Sequence, residues 1–515
     1  MSSVPPVHLA IMQPPGYVHS LGFVDQARYM RYQFRRLGAQ VSLAKNRLRE
    51  DAINIVFGAH LGFPVEWKQR HTCLFFNLEQ LGTGGAAVSA AYLRLLRTSA
   101  VIDYDPGNVG SYCDDPDDVP LVRFGHAAYL DDGDGIALEA RPIDLLFFGS
   151  MNDRRRAFIA DVEASGVQVT VFDYPLYGPE RDQFIRQAKA VLNCSFYETS
   201  RFEQARVSHC LSLGTPVISE QHVASAPPPA FESAVCWLPA GAARDYFDLH
   251  FGSETFFEDA RARLAEFRKA DPVDDYAELL AFAVGVHQGY CQQRDSEPWR
   301  PARINLGSGK DYKAGWLNLD VLDRAEPDLV LDLGQAIRWP VTRQTRYGGV
   351  VHLEPGSVEQ VYANNVLEHV PDLPMLMSNV LALLSVGGEF EIEVPYEHAP
   401  TAWQDPTHLR AMNENSWLYY TEWFWYLGWF EHRFEVVHSL WLDLKLQPCA
   451  QASAAFMKVT LRKVETTLRE RTTARVMQAD FGGIDDDEPQ PPADMPMSQA
   501  DGPALVAMQP VTLDC

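Results

Sequence analysis

The residues from Arg303 to Val394 constrain the fold more than any other part of the chain. A short apolar segment leads into a turn that contains Gly307 and Gly309. Two further apolar segments follow, and they reach Asp320 and Asp332 near their ends. A fourth segment ends in polar residues, and a helical stretch connects it to a fifth. This succession predicts an open α/β sheet that binds a nucleoside at the carboxyl ends of its strands.

The same stretch carries motifs that resemble those of a known family. The motifs are N-L-G-S-G-K (305–310), G-W-L-N-L-D (315–320), D-L-V-L-D-L (328–333), N-N-V-L-E-H-V (364–370) and W-Q-D-P-T-H-L-R (403–410). Together they resemble the class I S-adenosylmethionine (SAM)-dependent methyltransferases, and most closely the type found in bacterial surface-polysaccharide gene clusters. The resemblance covers about residues 301–463 and implies a Rossmann-like methyltransferase domain over residues 303–463.

SAM requires three things from such a site: close approach of the backbone, acceptors for the ribose hydroxyls and a contact with the adenine edge. The turn Gly307-Ser308-Gly309 allows the close approach, because glycine lacks a Cβ atom and tolerates unusual dihedral angles. Asp320 suits the ribose hydroxyls, as an acid near this position does in other nucleotide-binding α/β folds.

The resemblance implies further cofactor contacts on the next two strands. It places Asp332 against the adenine, and it places Asn364 and Asn365 beside the methionine or the methyl group. The first connection departs from the usual pattern, since only seven residues separate Gly309 from Leu317. Seven residues are too few for a crossover helix, and we therefore predict a tight loop there.

Methyl transfer from a sulfonium requires the protein mainly to align donor and acceptor and to exclude water. A sugar hydroxyl is a poor nucleophile near neutral pH, so a general base would assist the reaction. His408 is the first candidate for this base, Asp405 would orient it or bind the acceptor, and His369 is the second candidate. The alternatives are a structural hydrogen bond from His408 and helix-start capping by His369 with Glu368. We predict no metal site.

Residues 1–292 alternate strand-like and helical segments, which indicates parallel sheets. The segments that carry a second resemblance are N-L-E-Q-L (77–81), F-G-S-M-N-D-R (148–154) and G-T-P-V-I-S-E (214–220). They are similar to GT-B-type glycosyltransferase-like domains over about residues 5–250. The resemblance implies a GT-B-like pair of Rossmann-type halves, residues 1–140 and 141–292, the second of which includes packing helices.

A glycosyltransferase would bind the phosphates of a nucleotide-sugar donor on backbone amides at a helix start and on arginine side chains. The candidate residues are Gly149, Ser150, Asn152, Arg154, Glu203 and Arg206. The last two lie one helical turn apart, so an ion pair between them is an equal alternative. The two glutamates eight residues apart that mark retaining GT-B enzymes are missing, with Arg201 and His209 in their places. Both a catalytic and a non-catalytic first unit remain open.

The formal net charge of −24 argues against nucleic acid or an anionic membrane surface as the main partner. The eight cysteines form no C-x-x-C pair, and no segment resembles a signal peptide or a membrane span. We therefore predict a cytoplasmic protein with a small-molecule or glycan substrate, and the oligomeric state stays open. Residues 293–302 are predicted to be a linker, and residues 464–515 a disordered acidic tail.

The leading hypothesis is a bifunctional enzyme of bacterial surface glycan biosynthesis, in which a GT-B-like unit is fused to a SAM-dependent methyltransferase that acts on a sugar hydroxyl. A second hypothesis keeps the methyltransferase and makes the first unit a non-catalytic glycan-binding or docking module. A third, from a different class, is an assembly factor in which both folds only bind. A measurement of nucleotide-sugar transfer would separate the first two hypotheses. Absence of SAM binding would favour the third hypothesis.

Overall fold

The computed structural model describes residues 4–131, 133, 135–172, 174–197, 201–221, 227–239, 241–293 and 297–478. Three sheets with parallel strands succeed one another along the chain. One apolar core joins the first two sheets, and a separate core supports the third. The predicted α/β class with Rossmann-like sheets is confirmed.

The first sheet has the strand order β2-β1-β3-β4-β5, and all its strands are parallel. Its strands are β1 (Val7–Ile11), β2 (Val41–Lys45), β3 (Ile53–Phe57), β4 (Thr72–Asn77) and β5 (Ala100–Asp103). Its helices are α1 (Phe23–Arg36), α2 (Ala90–Arg97) and α3 (Pro106–Val109). The strands β1, β3 and β4 are buried along their whole length, as expected for central strands of a parallel sheet that is covered on both faces.

The second sheet is also parallel and has the order β10-β9-β8-β6-β7. Its strands are β6 (Ile143–Phe147), β7 (Val169–Val171), β8 (Ala188–Asn193), β9 (Val217–Glu220) and β10 (Cys236–Leu238). The helices of this half are α4 (Asp153–Glu163), α5 (Gly178–Gln187), α6 (Gln204–Ser212), α7 (Pro229–Glu232), α8 (Ala243–Leu249), α9 (Glu254–Phe267) and α10 (Val273–Gln293). The last of these, α10, returns to pack on α1, β3 and β4 of the first sheet.

The third sheet has eight strands in the order β13-β12-β11-β16-β17-β20-β18-β19. The strands of this part of the chain are β11 (Arg303–Leu306), β12 (Leu317–Asp320), β13 (Leu329–Val330), β14 (Val341–Gln344), β15 (Val350–Leu353), β16 (Val358–Asn364), β17 (Leu384–Pro395), β18 (His432–Leu442), β19 (Pro448–Cys449) and β20 (Phe456–Glu465). The helices are α11 (Leu373–Leu383), α12 (Leu418–Thr421) and α13 (Leu468–Met477). Strands β11, β12, β13, β16 and β17 are parallel to one another. Strands β20, β18 and β19 add to β17 in antiparallel pairings, and β14 and β15 form a separate hairpin.

The predicted tight loop between β11 and β12 is confirmed, because no helix lies between Leu306 and Leu317. Two buried asparagines hold the loop in place. The Asn318 side chain accepts a hydrogen bond from Lys313 N over 2.8 Å, and Asn305 Nδ2 donates to Asp311 O over 2.6 Å. Side-chain amides thus satisfy loop backbone groups that a crossover helix would otherwise pair internally.

Residues 464–478 were predicted to be disordered, but the structure places a strand end and a helix there. Strand β20 runs to Glu465, and α13 follows it with a capping box in which Thr467 and Glu470 exchange hydrogen bonds. Glu470 also pairs with Arg433 over 2.8 Å, which attaches the helix to β18. The rest of the predicted tail, residues 479–515, lies outside the described residues.

Part of the predicted linker belongs to the unit that contains the third sheet, which is called the third unit below, whereas residues 1–292 are called the first unit. Trp299 N donates to Val350 O over 2.7 Å, and its carbonyl accepts from His352 N over 2.7 Å. The ring of Trp299 also lies 4.9 Å below the Arg70 guanidinium of the first unit. This residue therefore connects the two units instead of spacing them apart.

Candidate functional site

The strand order of the third sheet reverses at β11, whose neighbours are β12 on one side and β16 on the other. Open α/β sheets bind ligands outside the carboxyl ends of their strands at such a reversal. Here the strand ends present the turn from Gly307 to Gly309, Asp320 and Asn364. The fold thus brings together most of the residues that the sequence predicted for the cofactor.

The turn after β11 requires glycine for two reasons. Gly307 has φ +62° and Gly309 has φ +46°, both in the left-handed region. A Cβ atom on Gly307 would overlap the side chain of Val366, which comes from the loop after β16. Between the glycines, Ser308 is 2% exposed, and its Oγ has no hydrogen-bond partner within the described ranges.

Asp320 ends β12 and is 7% exposed. One carboxylate oxygen accepts a hydrogen bond from Gly309 N over 2.8 Å, and the other accepts from Leu322 N over 2.8 Å. Each oxygen keeps further acceptor capacity, because an ionised carboxylate offers about four lone-pair sites. The side chain is therefore held in one orientation and can still accept hydrogen bonds from the hydroxyls of a ribose.

Asp332 does not end a strand, because β13 stops at Val330. The Asp332 side chain is exposed, and its Oδ1 accepts from Gly334 N over 2.8 Å. This local turn accounts for its position without a ligand. A role against adenine stays a prediction.

Asn364 and Asn365 lie where β16 ends. The Oδ1 atom of Asn364 is buried and has no hydrogen-bond partner in the part of the chain that the structure describes. Asn365 adopts φ +51°, a conformation that asparagine tolerates better than most residues, and its N–H donates to Glu393 O over 2.9 Å. The buried acceptor of Asn364 is thus available to a ligand at the strand reversal.

The loop that contains His408 packs on the loop after β16. Leu409 N donates to Glu368 O over 2.8 Å, and the Arg410 guanidinium donates to the carbonyls of Leu367, Val370 and Pro371. These bonds bring the rings of His369 and His408 to 4.7 Å between centroids. Two histidines that lie far apart in the sequence therefore share one site.

Asp405 does not orient His408. The Nδ1 atom of His408 lies 2.8 Å from Ala402 O, and this carbonyl fixes the ring. Asp405 instead accepts from Thr407 N over 2.8 Å and from Thr407 Oγ1 over 2.7 Å, and Thr407 Oγ1 lies 3.0 Å from Nδ1 of His369. The carboxylate therefore acts on His369 through a hydroxyl, which the prediction from the sequence missed.

Glu368 is a further site residue that the sequence analysis treated only as a capping partner. It is 1% exposed, and neither carboxylate oxygen has a hydrogen-bond partner within the described residues. Burial is the main cause that raises the pKa of Glu368 from 4.5 to about 7. Its Oε1 lies 3.9 Å from Nε2 of His408. The adjacent residues Glu368 and His369 in the motif that begins at Asn364 were the sequence signal that could have identified Glu368 as a site residue.

A second candidate site is a cleft of about 750 Å³ between the first and second sheets. Gly149 and Ser150 line it from the loop after β6, and Tyr17 and His60 line it from the first half. The loop after β6 lies at the reversal of the second sheet, since β6 has β7 and β8 as neighbours. The predicted glycine loop therefore faces this cleft.

Two of the predicted phosphate-site residues have structural roles instead. Asn152 caps α4 by accepting from Arg155 N over 2.9 Å. Arg154 pairs with Glu220 over 2.9 Å and donates to Ser195 O over 2.8 Å. It is not among the residues that line the cleft, and its phosphate contact stays a prediction.

Arg155 and Arg206 line the cleft, and both pair with Glu203. The distances are 3.1 Å from Arg155 and 2.8 Å from Arg206, so the alternative of an ion pair along α6 is confirmed. The Nη1 atom of Arg206 is buried and has no partner among the described residues. One guanidinium nitrogen in the cleft wall thus remains available to an anion.

The lining of the same cleft also includes a largely buried charge network. Arg181 pairs with Asp25 and with Asp182 over 2.6 Å each, and His209 lies 2.9 Å from Asp182. Burial acts to raise the pKa of Asp182, but His209 and Arg181 together outweigh it and lower the pKa to about 2. His209, which stands where a GT-B glutamate was sought, is therefore part of a structural network.

Arg201 occupies the other glutamate position. Its guanidinium donates to Gly107 O over 2.8 Å and to Leu81 O over 3.1 Å. It thereby joins the segment before α6 to the loops of the first sheet. Arg201 therefore has a structural role at the position where the two-glutamate pattern would place a glutamate.

No helix in the described residues is long and apolar enough to cross a membrane. No protein-family model matches the chain, and a search of curated proteins found no match. Among solved structures, a SAM-dependent methyltransferase from Mesorhizobium loti is similar at 17% identity and a TM-score of 0.22, over 32% of this chain and 93% of that chain. A glycosyltransferase from Rickettsia africae is similar at 9% identity and a TM-score of 0.36, over 56% of this chain and all of that chain.

Proposed function

We propose that residues 303–463 bind SAM and transfer its methyl group to a hydroxyl of a small-molecule or glycan acceptor. The observation that carries this proposal is the convergence of three features at one strand reversal. They are the glycine turn after β11, the oriented carboxylate of Asp320 and the buried, unpartnered Oδ1 of Asn364. This combination fits a nucleoside that carries an amino acid.

The residues present fit such a cofactor. Buried polar atoms are expected to be hydrogen-bonded, so the orphaned Ser308 Oγ and Asn364 Oδ1 call for a partner with both donors and acceptors. The carboxylate and ammonium groups of the methionine part of SAM provide both. Asp320 accepts from the ribose hydroxyls, and the turn at Gly307 keeps the backbone open to close approach.

When bound, SAM supplies a methyl group that is already activated by the positive sulfonium. The acceptor oxygen forms a bond to the methyl carbon, the sulfur–carbon bond breaks with its electron pair on sulfur, and the hydroxyl proton leaves to a base. The protein contributes alignment of the two reactants and exclusion of water. These tasks require a rigid site, which the hydrogen-bonded loops after β12 and β16 provide.

The acceptor side is the cluster of Glu368, His369 and His408. The Ala402 carbonyl can only accept a hydrogen bond, so Nδ1 of His408 carries the proton and Nε2 of the neutral ring has a lone pair. This assignment supports His408 as the group that removes the hydroxyl proton. Asp405 supports His369 through Thr407. The sequence resemblance supports a sugar acceptor in bacterial surface glycan biosynthesis.

Titration calorimetry of the full chain with SAM tests this function. We expect binding near micromolar affinity, about −8 kcal/mol, and loss of binding in Asp320→Ala. The matched control is Asp323→Ala, three residues further on, whose side chain is 81% exposed. Absence of binding to the intact protein would refute the methyltransferase and favour an assembly factor.

A second function is supported by the upstream cleft: binding of a nucleoside diphosphate or nucleotide-sugar. A Cβ atom on Gly149 would lie 3.1 Å from Arg155 Nη1 and 3.2 Å from Arg206 Nη2. The glycine therefore lets the backbone pass close to both guanidinium groups, and Nη1 of Arg206 lacks a partner in the described residues. Arginine recognises phosphate through paired hydrogen bonds of this kind.

Binding of UDP and GDP to the full chain tests the cleft. We expect Arg206→Ala to weaken binding at least about 10-fold, since one charge-assisted hydrogen bond contributes roughly 1.5–3 kcal/mol. Arg156→Ala is the control, because Arg156 is 59% exposed and pairs with Asp153 in the same helix. Binding without sugar transfer would make the first unit a docking module, and equal affinities of the variants would exclude this cleft.

A further inference from the structure

Three metal-ligating side chains meet where the loop of His408 packs on the loop after β16. Glu368, His369 and His408 each offer one ligand atom, and these atoms all lie within 4.8 Å of one another. Two histidines and one carboxylate are the ligand set of many catalytic metal sites, which keep a further coordination position open for a substrate. The sequence analysis predicted no metal here.

We propose that Glu368, His369 and His408 bind a divalent transition-metal ion of the Zn²⁺ class, and that this ion holds the acceptor oxygen for methyl transfer. The proposal rests on the proposed function and deepens it, because it assigns the acceptor cluster a metal centre in place of a lone histidine base. The substrate class that follows is an alcohol, whose oxygen would take the open coordination position.

The first argument is the state of Glu368. Its side chain is 1% exposed, and both oxygens lack a hydrogen-bond partner in the described part of the chain. An uncompensated buried carboxylate is costly, and folded proteins pair such groups or use them to coordinate metals. The Nε2 atom of His408 lies 3.9 Å from Glu368 Oε1, which is too far for a hydrogen bond.

The second argument is the orientation of the histidines. Metal-bound histidines usually donate their other ring N–H to a carbonyl or a carboxylate-linked group, which fixes the tautomer. His408 does so with Ala402 O over 2.8 Å, and its Nε2 faces Glu368. His369 makes the same kind of contact through Nδ1 with Thr407 Oγ1, which Asp405 holds in turn. Both rings are therefore arranged as metal ligands before any ion binds.

The third argument is distance. Ligand atoms around a tetrahedral ion with bonds of about 2.0–2.2 Å lie roughly 3.3 Å apart. The 3.9 Å between Glu368 Oε1 and His408 Nε2 therefore has to shorten by less than an ångström. His369 is only half-buried, so its ring has room to complete the closure.

The position of the cluster connects it to the cofactor. Val366, two residues before Glu368, is the side chain that packs against the glycine turn at Gly307. An ion at the cluster would lower the pKa of a bound hydroxyl. The hydroxyl proton then leaves to water, and the alkoxide oxygen attacks the methyl carbon of SAM as described above.

The test uses the full chain, stripped with EDTA and titrated with ZnCl₂ in a competition assay. We expect about one Zn²⁺ per chain, and a loss of at least about 100-fold in affinity for Glu368→Gln and His408→Ala, since even indirect supports of a metal site change affinity by 10–100-fold. His438→Ala is the matched histidine control, because His438 is exposed on β18 of the same unit. The absorption spectrum of bound Co²⁺ should change in His408→Ala and not in His438→Ala.

SAM titrations of the same proteins separate the two proposals. If SAM binds but Zn²⁺ does not, or if Glu368→Gln binds Zn²⁺ as the wild type does, the metal centre is refuted and methyl transfer by a histidine base stands. If SAM does not bind, the proposed function fails irrespective of the zinc result. If Glu368→Gln fails to fold, the Zn²⁺ affinity of His369→Gln is compared with that of the wild type instead, because His369 is only half-buried.

Discussion

The carboxylate of Asp320 accepts a hydrogen bond from the backbone N–H of Gly309 over 2.8 Å. Its other oxygen accepts from Leu322 N, so two backbone donors converge on one side chain. In Asp320→Asn, one donor would face the amide NH₂ group and lose its acceptor, at a cost of roughly 1–3 kcal/mol. We expect lower thermal stability of the third unit and at least about a 10-fold loss of SAM affinity.

Asp323→Asn provides the control for this substitution, because its exposed side chain lies in the same loop. Calorimetry with SAM and thermal unfolding would be measured on both variants. Unchanged SAM affinity in Asp320→Asn would contradict the ribose assignment, whereas a fall in both variants would point to a general effect on the loop.

Gly307 and Gly356 offer a matched pair. Both have positive φ, +62° and +74°, so alanine at either position costs about 1–2 kcal/mol of backbone strain. A Cβ atom on Gly356 meets nothing within 4 Å, whereas one on Gly307 collides with Val366. We expect Gly307→Ala to abolish SAM binding and Gly356→Ala to lower only the melting temperature. Equal SAM affinities would show that the turn can adjust.

Two of the three acidic or polar strand ends of the site were predictable from the sequence, because apolar runs and the polar residues that close them are local features; Asp332 lies beyond the end of β13. Asp320 and Asn364 were identified in this way, and both end strands in the structure. The connection before Leu317 was predictable too, since a seven-residue gap leaves no room for a helix.

Of the two cleft arginines discussed above, Arg206 was predicted and Arg155 was not, because helix phase decides which of two neighbouring residues faces a cleft. Arg154 was predicted, yet Asn152 caps α4 and directs Arg155 into the cleft wall. Successive residues on a helix point about 100° apart, so an error of one residue changes the surface that is reached. The burial of Glu368 depends on the loop of His408, about 40 residues further on. A local sequence pattern does not predict packing between such distant segments.

The buried side chain of His8 makes the free energy of unfolding depend on pH. Burial lowers its pKa from 6.5 to about 4, although its hydrogen bond with Arg47 O acts in the opposite direction. The folded state therefore prefers neutral His8, while the unfolded chain takes up a proton near pH 6.5. The contribution of His8 to the free energy of unfolding is therefore fully present above pH 6.5. It decreases by on the order of 3 kcal/mol as the pH falls towards 4.

Chemical unfolding of the wild type and His8→Gln between pH 8 and pH 4 checks this expectation. The variant should be less stable at pH 8, because the ring contact with Ser42 is lost. Its unfolding free energy should fall less steeply below pH 6.5 than that of the wild type. Parallel curves would show that His8 does not titrate on unfolding.

Arg47 connects the first unit to the third. Its guanidinium lies 4.7 Å above the Tyr312 ring, and it pairs with Glu326 over 3.1 Å. Arg36 makes the same kinds of contact within the first unit, stacking on Tyr32 at 5.5 Å and pairing with Asp271 over 2.6 Å. The two arginines therefore differ mainly in whether their partners belong to another unit.

We expect Arg47→Ala to lower the melting temperature of the transition that SAM stabilises, by the loss of roughly 1–2 kcal/mol from the partly desolvated cation–π contact and ion pair. Arg36→Ala should lower only a transition that does not respond to SAM, because ligand binding stabilises just the unit that holds the ligand. Scanning calorimetry with and without SAM distinguishes the two. If both variants shift the SAM-responsive transition equally, the units unfold as one, and Arg47 is then a general stabilising residue instead of a specific connection between them.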